Sequence, residues 1–412
     1  FAPPVNVALV NPRAVALGDF NGDGLLDVVT VNDSDTTITV LLNTTTVAAT
    51  PSFSAPQGFA PSTSYSASSV ATSDINGDGK LDVLVADVNG NQVLVLLNTT
   101  ARGAATASFA TELSFGTGVN PRSMAVADVN GDGRPDLLTA SRDDGTVSVL
   151  RNTTTRGSAT SSFAPQQIVS TGLSNARSLA VADVSGDGRP DLAVVGGNFV
   201  SVLHGNGTGS FASAVTYPVA EDPGAIVITD LDGDGNPDLA VAMEVDNIVT
   251  LLRNTGGGVF SAATTRPALD WLSSIAVGDF NGDDRPDLVV NLLNSSAVAV
   301  LLNPSFAGAG PFNAPVGTTP RSIAVGHFNS DGNSDLAVAN QNDDTVSVLL
   351  GNGDGTYADA VSYAVGTGPV FLATGDLNSD GNPDLAVANQ SGSVSVLLGN
   401  GNGTFGPKTD FG

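Results

Sequence analysis

The chain has 412 residues, of which 41 are acidic, 15 are Lys or Arg and 2 are His, for a formal charge of −26. That balance excludes phosphate-backbone binding through a basic face, and the absence of Cys excludes disulfides, thiolate metal sites and a Cys nucleophile. With 41% hydrophobic residues, 14% charged residues and 48 glycines, the composition is that of a well-cored, turn-rich protein rather than a disordered one. No run approaches the roughly 18 apolar residues needed to span a bilayer. Phe1 to Val10 lacks a basic n-region followed by an apolar stretch, so the numbering is expected to begin at a mature or trimmed end. Of the acidic residues only Glu112, Glu221 and Glu244 are Glu, and a skew this strong toward Asp points to loops rather than helices.

In chain order, Phe1 to Val10 reads as a strand that opens on an aromatic. It is followed by an apolar run and then by Asp19-Phe20-Asn21-Gly22-Asp23-Gly24-Leu25-Leu26-Asp27. The same nine-residue pattern returns at Asp74, Asp128, Asp183, Asp230, Asp279, His327 and Asp376, at intervals of 55, 54, 55, 47, 49, 48 and 49 residues. A repeat that tiles the chain end to end leaves one domain, 1–412. Each unit leads into its loop with a run such as Pro121 to Ala127, leaves it with Leu137 to Ala140, and continues after a polar turn with Thr146 to Leu150. These predict three short strands. A fourth is expected to open on Phe53, Phe109, Phe163, Phe211, Phe260, Phe312, Tyr357 and Phe405. Sustained helical periodicity is absent. Four antiparallel strands in about 50 residues cannot bury both faces of one sheet, and stacking such sheets around an axis gives an all-β fold, a β-propeller of four-stranded blades. The first three intervals are longer because the turn between the third and fourth strands is expanded, as in Asn43 to Ser52.

The loop spacing places oxygen side chains at positions 1, 3, 5 and 9 and leaves the backbone carbonyl of position 7 available, a hard-oxygen set suited to Ca²⁺. The candidate ligands are Asp19, Asn21, Asp23, Leu25 and Asp27; Asp74, Asn76, Asp78, Lys80 and Asp82; Asp128, Asn130, Asp132, Arg134 and Asp136; and Asp183, Ser185, Asp187, Arg189 and Asp191. The second half of the chain offers Asp230, Asp232, Asp234, Asn236 and Asp238; Asp279, Asn281, Asp283, Arg285 and Asp287; His327, Asn329, Asp331, Asn333 and Asp335; and Asp376, Asn378, Asp380, Asn382 and Asp384. Gly at position 6 permits the positive φ that lets the chain curl around one ion. The opening matches an EF-hand loop, but position 12 is Thr30, Val85 or Thr139 in the first three copies, not a bidentate Glu. Asn, Asp and Gly also build plain hairpin turns; eight copies that each add oxygen or imidazole groups at positions 1 and 9 favour a cation. The loops hold 25 of the 41 acidic residues. Without a cation their carboxylates are expected to repel one another. His327 at position 1, Ser185 at position 3 and Asp284 at position 6 should alter affinity, and the His327 loop is the weakest candidate because calcium seldom takes imidazole.

These units resemble the FG-GAP (VCBS-type) repeats of integrin α-subunit propellers and of related secreted propellers, among them fungal and bacterial lectins. The resemblance implies that the loop from Asp19 to Asp27 and its seven counterparts join the first two strands of each blade and hold Ca²⁺ on the lower face. Members of the family are usually seven-bladed, whereas eight loops here imply eight blades, or seven plus an extra unit; eight is the expectation. Phe1 to Val10 and Thr404 to Phe411 both look like fourth strands, nine candidates for eight places, so one is expected to close the ring and the other to pack elsewhere or pair with a neighbouring chain.

On the opposite face, the turns Asp33-Ser34-Asp35, Arg142-Asp143-Asp144, Asn342-Asp343-Asp344 and Asn389-Gln390-Ser391, with Arg13, Arg122, Arg177 and Arg321 at the starts of first strands, are candidate partner contacts or simply solvated turn residues. Trp271, in Leu269-Asp270-Trp271-Leu272, is the lone tryptophan and a candidate ligand platform or packing residue. Catalysis is not expected, because His204 and His327 are the only imidazoles and no triad, phosphate loop or zinc motif is legible. The readings that follow are a secreted or surface recognition module binding glycan or protein, or, alternatively, a calcium-stiffened spacer or assembly subunit using the spare strand, or the non-catalytic part of a larger secreted protein. Asn-x-Ser/Thr sequences at Asn32, Asn43, Asn98, Asn152, Asn206, Asn294 and Asn402 fit export, as does millimolar extracellular calcium.

Overall fold

The computed structural model describes residues 12–32, 37–45, 52–60, 66–268, 271–303 and 312–411. These form eight four-stranded antiparallel sheets, each a simple meander drawn from consecutive strands. The blades span residues 12–59, 67–116, 121–170, 178–218, 223–267, 272–315, 320–364 and 369–411. Their first strands contact one another in a closed cycle, from Pro12–Gly18 through the next six to Pro369–Gly375 and back, so the first strand of every blade lines the axis. The fold is therefore an eight-bladed β-propeller, and no unit lies outside the ring.

Burial explains the sequence of each strand. Second strands, such as Asp82–Asp87 (DVLVAD), are buried at every residue because neighbouring blades cover both faces. A strand covered on both sides reads as a continuous apolar run rather than an alternating one. Fourth strands such as Val215–Pro218 lie at the rim and are mostly exposed. The core consists of clusters between adjacent blades rather than one central cluster. Val15, Val28 and Leu41 of the first blade pack with Leu377, Ala386 and Val396 of the last and seal the ring.

Two sequence expectations are corrected here. Most of the aromatics do not open the fourth strand: Phe53, Phe109, Phe163, Phe211, Phe260, Tyr357 and Phe405 each form a single bridge with the residue two places beyond the end of the third strand, and the fourth strand begins a few residues later. The bridge turns the ring toward the blade before it, where Phe109 meets Phe20 edge-on at 6.2 Å and Phe405 meets Phe328 at 5.3 Å. Phe312 is different again, the first residue of the strand Phe312–Pro315 and 36% exposed. The spare-strand question resolves on the C-terminal side: Thr409–Phe411 pairs with Ser393–Leu397 as the fourth strand of the last blade. Phe1 to Val10 lies outside the described residues.

Candidate metal centres and the opposite face

In every blade the nine-residue loop joins the first strand to the second. Its positions divide into two jobs. Position 2 is apolar and buried in all eight copies (Phe20, Ile75, Val129, Val184, Leu231, Phe280, Phe328 and Leu377) and plugs the seam between blades. Position 9 is a fully buried Asp that begins the second strand. Asp27 accepts the Phe20 amide at 2.7 Å through one oxygen and the Asn43 amide at 2.7 Å through the other, tying the loop to the turn after the third strand. Asp82 does the same with Ile75 (2.8 Å) and Asn98 (2.7 Å), and Asp136 with Val129 and Asn152.

The residue that supplies that second donor is the feature sequence reasoning missed. Asn43, Asn98, Asn152 and Asn254 are buried, and their side-chain amides donate to the position-2 carbonyl of the preceding blade: Asn98 to Phe20 at 2.7 Å, Asn152 to Ile75 at 2.8 Å, Asn254 to Val184 at 2.7 Å, and Asn43 across the ring closure to Leu377. The signal was a constant separation of 16 residues from position 9. The finding also removes export arguments, because Asn32, Asn43, Asn98 and Asn152 are at most 1% exposed and closed to a glycosyl group in the folded chain. Asn206, Asn294 and Asn402 are exposed.

The remaining polar positions order the loop, position 3 buried in blades 1, 2 and 8 (Asn21, Asn76 and Asn378). Asp19 accepts the amides of Gly22 (2.7 Å), Asp23 (3.1 Å) and Gly24 (2.9 Å), Asn21 Oδ1 accepts Asp23 N, and Asp23 Oδ1 accepts Leu25 N. Gly22 and Gly24 sit at φ 69° and 94°, the left-handed region the curl requires. Asp284 occupies position 6 of its loop at φ 61°, a conformation Asp tolerates better than most side chains. These amide bonds offset part of the carboxylate repulsion expected from sequence.

The blade 5 loop carries a concentrated donor set. Ligand atoms of Asp230, Asp232 and Asp238 all lie within 4.8 Å of one another, the group of three carboxylates with metal-binding geometry among the described residues. Arg253 Nη1 approaches Asp232 at 3.1 Å. In the other loops the third position is Asn or Ser, so two carboxylates and a neutral oxygen stand there instead, except in blade 7, where His327 replaces the first carboxylate. Burial pushes Asp27, Asp82 and Asp384 up to about 7 and Asp136, Asp238 and Asp287 up to about 6, with neighbouring loop carboxylates adding to the rise and the backbone amides opposing it. A divalent cation between these oxygens would favour the ionised forms.

The blade 7 loop is built otherwise. His327 Nδ1 lies 2.8 Å from the carbonyl of Asn333, so the ring donates to the position-7 oxygen. Its loop keeps the buried Asp335, which accepts Phe328 N (2.7 Å) and Gly351 N (2.8 Å).

In the long-turn blades, the turn between the third and fourth strands reaches back over the preceding loop. Arg102 Nε donates to Gly22 O and Gly103 N to Asn21 O; Arg156 Nε donates to Gly77 O and Gly157 N to Asn76 O. A cleft of about 550 Å³ between the loops of blades 2 and 3 is lined by Asp74, Asp78, Asp132, Arg134 and Arg156.

On the opposite face, several turn residues predicted as partner contacts brace neighbouring turns. Asp144 accepts Val119 N (2.8 Å), Asp343 accepts Thr318 N (2.5 Å), and buried Asn389 donates to Ser393 and Ser395. Gln341 donates to Gln390 across two blades at 3.1 Å. Arg142 is exposed. Trp271 is 49% exposed immediately before the first strand of blade 6, and its carbonyl accepts Leu293 N. Asp33, Ser34, Asp35, Leu269 and Asp270 lie outside the described residues.

The profile of the FG-GAP-like repeat matches residues 19–85, 74–139, 128–194, 183–241, 230–290, 327–387 and 376–412, and the chain belongs to that family. No curated protein matches it in sequence. Among solved structures it is similar to BBS1N in complex with ARL6DN, with TM-score 0.54, 13% identity, and coverage of 86% of this chain and 96% of that one. It is also similar to a functionally unknown protein from Desulfotomaculum acetoxidans DSM 771, with TM-score 0.52, 14% identity, and coverage of 80% and 98%. At these identities the likeness is one of fold.

Proposed function

We propose that this propeller is a calcium-binding extracellular recognition module that engages a glycan or protein through the turns of the face opposite its Asp loops. The observation that carries the calcium part is the convergence of Asp230, Asp232 and Asp238 within 4.8 Å in a loop frame repeated around the ring. Three carboxylate oxygens at that separation, on a loop opened by glycines of positive φ, suit a hard divalent cation. Asp230, Asp232, Asp234, Asp238 and the Asn236 carbonyl would hold it, and their counterparts would hold up to seven more, the His327 loop least well. The ion would supply cross-linking charge between loop and second strand. Weak sites with Kd of about 10⁻⁴ to 10⁻³ M fill in extracellular calcium and stay empty in cytosol, which supports a secreted or cell-surface location. Among the described residues no helix is long and apolar enough to cross a membrane.

The recognition part is supported by the division of labour between the faces, one committed to ordered Asp loops and the other carrying exposed Trp271 and turns held rigid by their own side chains. Rigid turns on a fixed scaffold lose little entropy on binding. A binding rather than catalytic role is supported by His327, which is bonded to the Asn333 carbonyl within its own loop, and by a sequence that carries no triad, phosphate loop or zinc motif. The test is a glycan array probed with the intact chain in millimolar calcium and in chelator. Calcium-dependent binding to a defined sugar, lost on Trp271→Ala, supports a lectin-like module. A blank array from folded protein points to a protein partner or to assembly.

An assembly subunit is the second reading. All four strands of all eight blades come from residues 12–411, so the strand-like Phe1 to Val10 is not needed to complete a blade. Deleting it should abolish any polymer; an unchanged size distribution would refute this reading.

A further inference from the structure

The first strands open on the face opposite the Asp loops, and seven of them share an irregularity there. Pairing slips between Pro12 and Ala14, Ala67 and Ser69, Pro121 and Ser123, Pro223 and Ala225, Leu272 and Ile275, Pro320 and Ser322, and Pro369 and Phe371. Such bulges re-aim one side chain out of the regular alternation. In blade 4 the equivalent place is Arg177, whose amide bonds the Val195 carbonyl at 2.9 Å. Because the first strands form a closed cycle, these places encircle the axis at one level. Their occupants are Arg13, Ser68, Arg122, Arg177, Gly224, Ser273, Arg321 and Val370. Four of the 15 basic residues of the chain stand there and none of its 41 acidic ones, the reverse of its overall balance.

The four arginines differ in what they already hold. Arg177 is committed to Asp222 (2.6 Å) and Glu244 (2.9 Å) of the next blade. Arg321 Nε donates to the neutral Gln341 at 2.8 Å and keeps its charge uncompensated by that bond. Arg122 is half-buried, and its Nε has no hydrogen-bond partner among the described residues. Burial, followed by the charges of Arg13 and Arg142, holds the Arg122 pKa below the ordinary guanidinium value; Arg177 acts the same way and Asp143 opposes them. A half-buried guanidinium with an idle donor among like charges is costly, and an anion placed between them would remove both costs.

We propose that the axial mouth on this face is a binding site for an oxyanion group (carboxylate or sulfate), with Arg122 as the principal contact and Arg13 and Arg142 completing the positive rim. The planar fork of Arg matches two oxygens of such a group at once. The site rests on reading this face as the recognition face, whose ligand chemistry it narrows, and does not depend on calcium.

The test is calorimetric titration of the full chain with sodium sulfate and, separately, sodium glucuronate at low ionic strength, with chloride at matched ionic strength as reference. Saturable binding of either is expected. Sulfate alone identifies a sulfated ligand, and glucuronate alone or with sulfate identifies a carboxylate-tolerant site. Arg122→Gln should weaken it about tenfold or more, the scale of one lost charge-assisted contact, while Lys408→Gln at the rim leaves it unchanged. If Arg122→Gln fails to fold, exposed Arg13→Gln and Arg142→Gln carry the same test and should each weaken binding. No saturable binding of either anion, or unchanged affinity in all the arginine variants, overturns the proposal. A glycan or protein ligand whose binding ignores these variants would overturn it while leaving the recognition reading intact. Anion binding that depends on Arg122 beside a blank array and no protein partner would mean the reverse.

Discussion

The loops of blade 5 and blade 7 share one frame and differ in charge. Both bury an apolar residue at position 2, Leu231 and Phe328, and an Asp at position 9, Asp238 and Asp335, which accepts the position-2 amide and the amide 16 residues on. Yet blade 5 gathers three carboxylates within 4.8 Å, whereas blade 7 puts His327 against the Asn333 carbonyl. The frame is thus common to both loops and the ion set is not: positions 2 and 9 build the blade, position 9 adds an oxygen to the cluster in blade 5, and the residues at positions 1 and 3 set what the loop can hold. An imidazole N–H stands in blade 7 where a cation would meet the position-7 oxygen.

The comparison breaks most severely if chelation leaves the protein unchanged. A site of Kd about 10⁻⁴ M contributes about 1.4 kcal/mol in millimolar calcium, so several together should move the melting temperature by on the order of ten degrees, read by scanning calorimetry with and without chelator. Next in size, Asp335→Ala strands two buried amide donors and should cost about 2–6 kcal/mol by denaturant unfolding, with or without calcium, because its role is structural. Calcium-independent loss at Asp335 beside calcium-dependent loss for Asp230→Ala would sharpen the division.

A pH series tests the same buried groups. With folded values raised to about 7 for Asp27, Asp82 and Asp384, these groups favour the fold most below the ordinary carboxylate pKa of about 4 and lose that contribution as pH rises through about 7. In chelator, their effect should therefore raise the melting temperature between pH 8 and pH 5; in calcium, which favours the ionised forms, the trend should flatten or reverse. The smallest effect is expected of Asp284→Gly: relieving φ 61° should change stability by less than about 1 kcal/mol in calorimetry.

Most of the fold was legible because the Asp loop recurs at a nearly constant interval and its neighbours alternate between strand and turn. The blade number followed from counting loops. What the sequence hid were roles that exist only between blades. Asn98 reads as a glycosylation site until its side chain is seen buried against Phe20 O, 78 residues away. Phe312 looks like the other aromatics but stands in the strand itself. Asp27 reads as a solvent-facing ligand, although most of its oxygen capacity is spent on backbone amides. The arginines at 13, 122, 177 and 321 come to one level only once the first strands stand side by side around the axis.

The most direct test of the account is calcium stoichiometry by equilibrium dialysis in several millimolar calcium, the bound ion read by elemental analysis as the excess on the protein side, for the wild-type chain, Asp230→His and His327→Asp. The account predicts about seven ions per chain, one fewer for Asp230→His and one more for His327→Asp. A folded wild-type chain holding less than about one ion, or variants that leave the count unchanged, would contradict it.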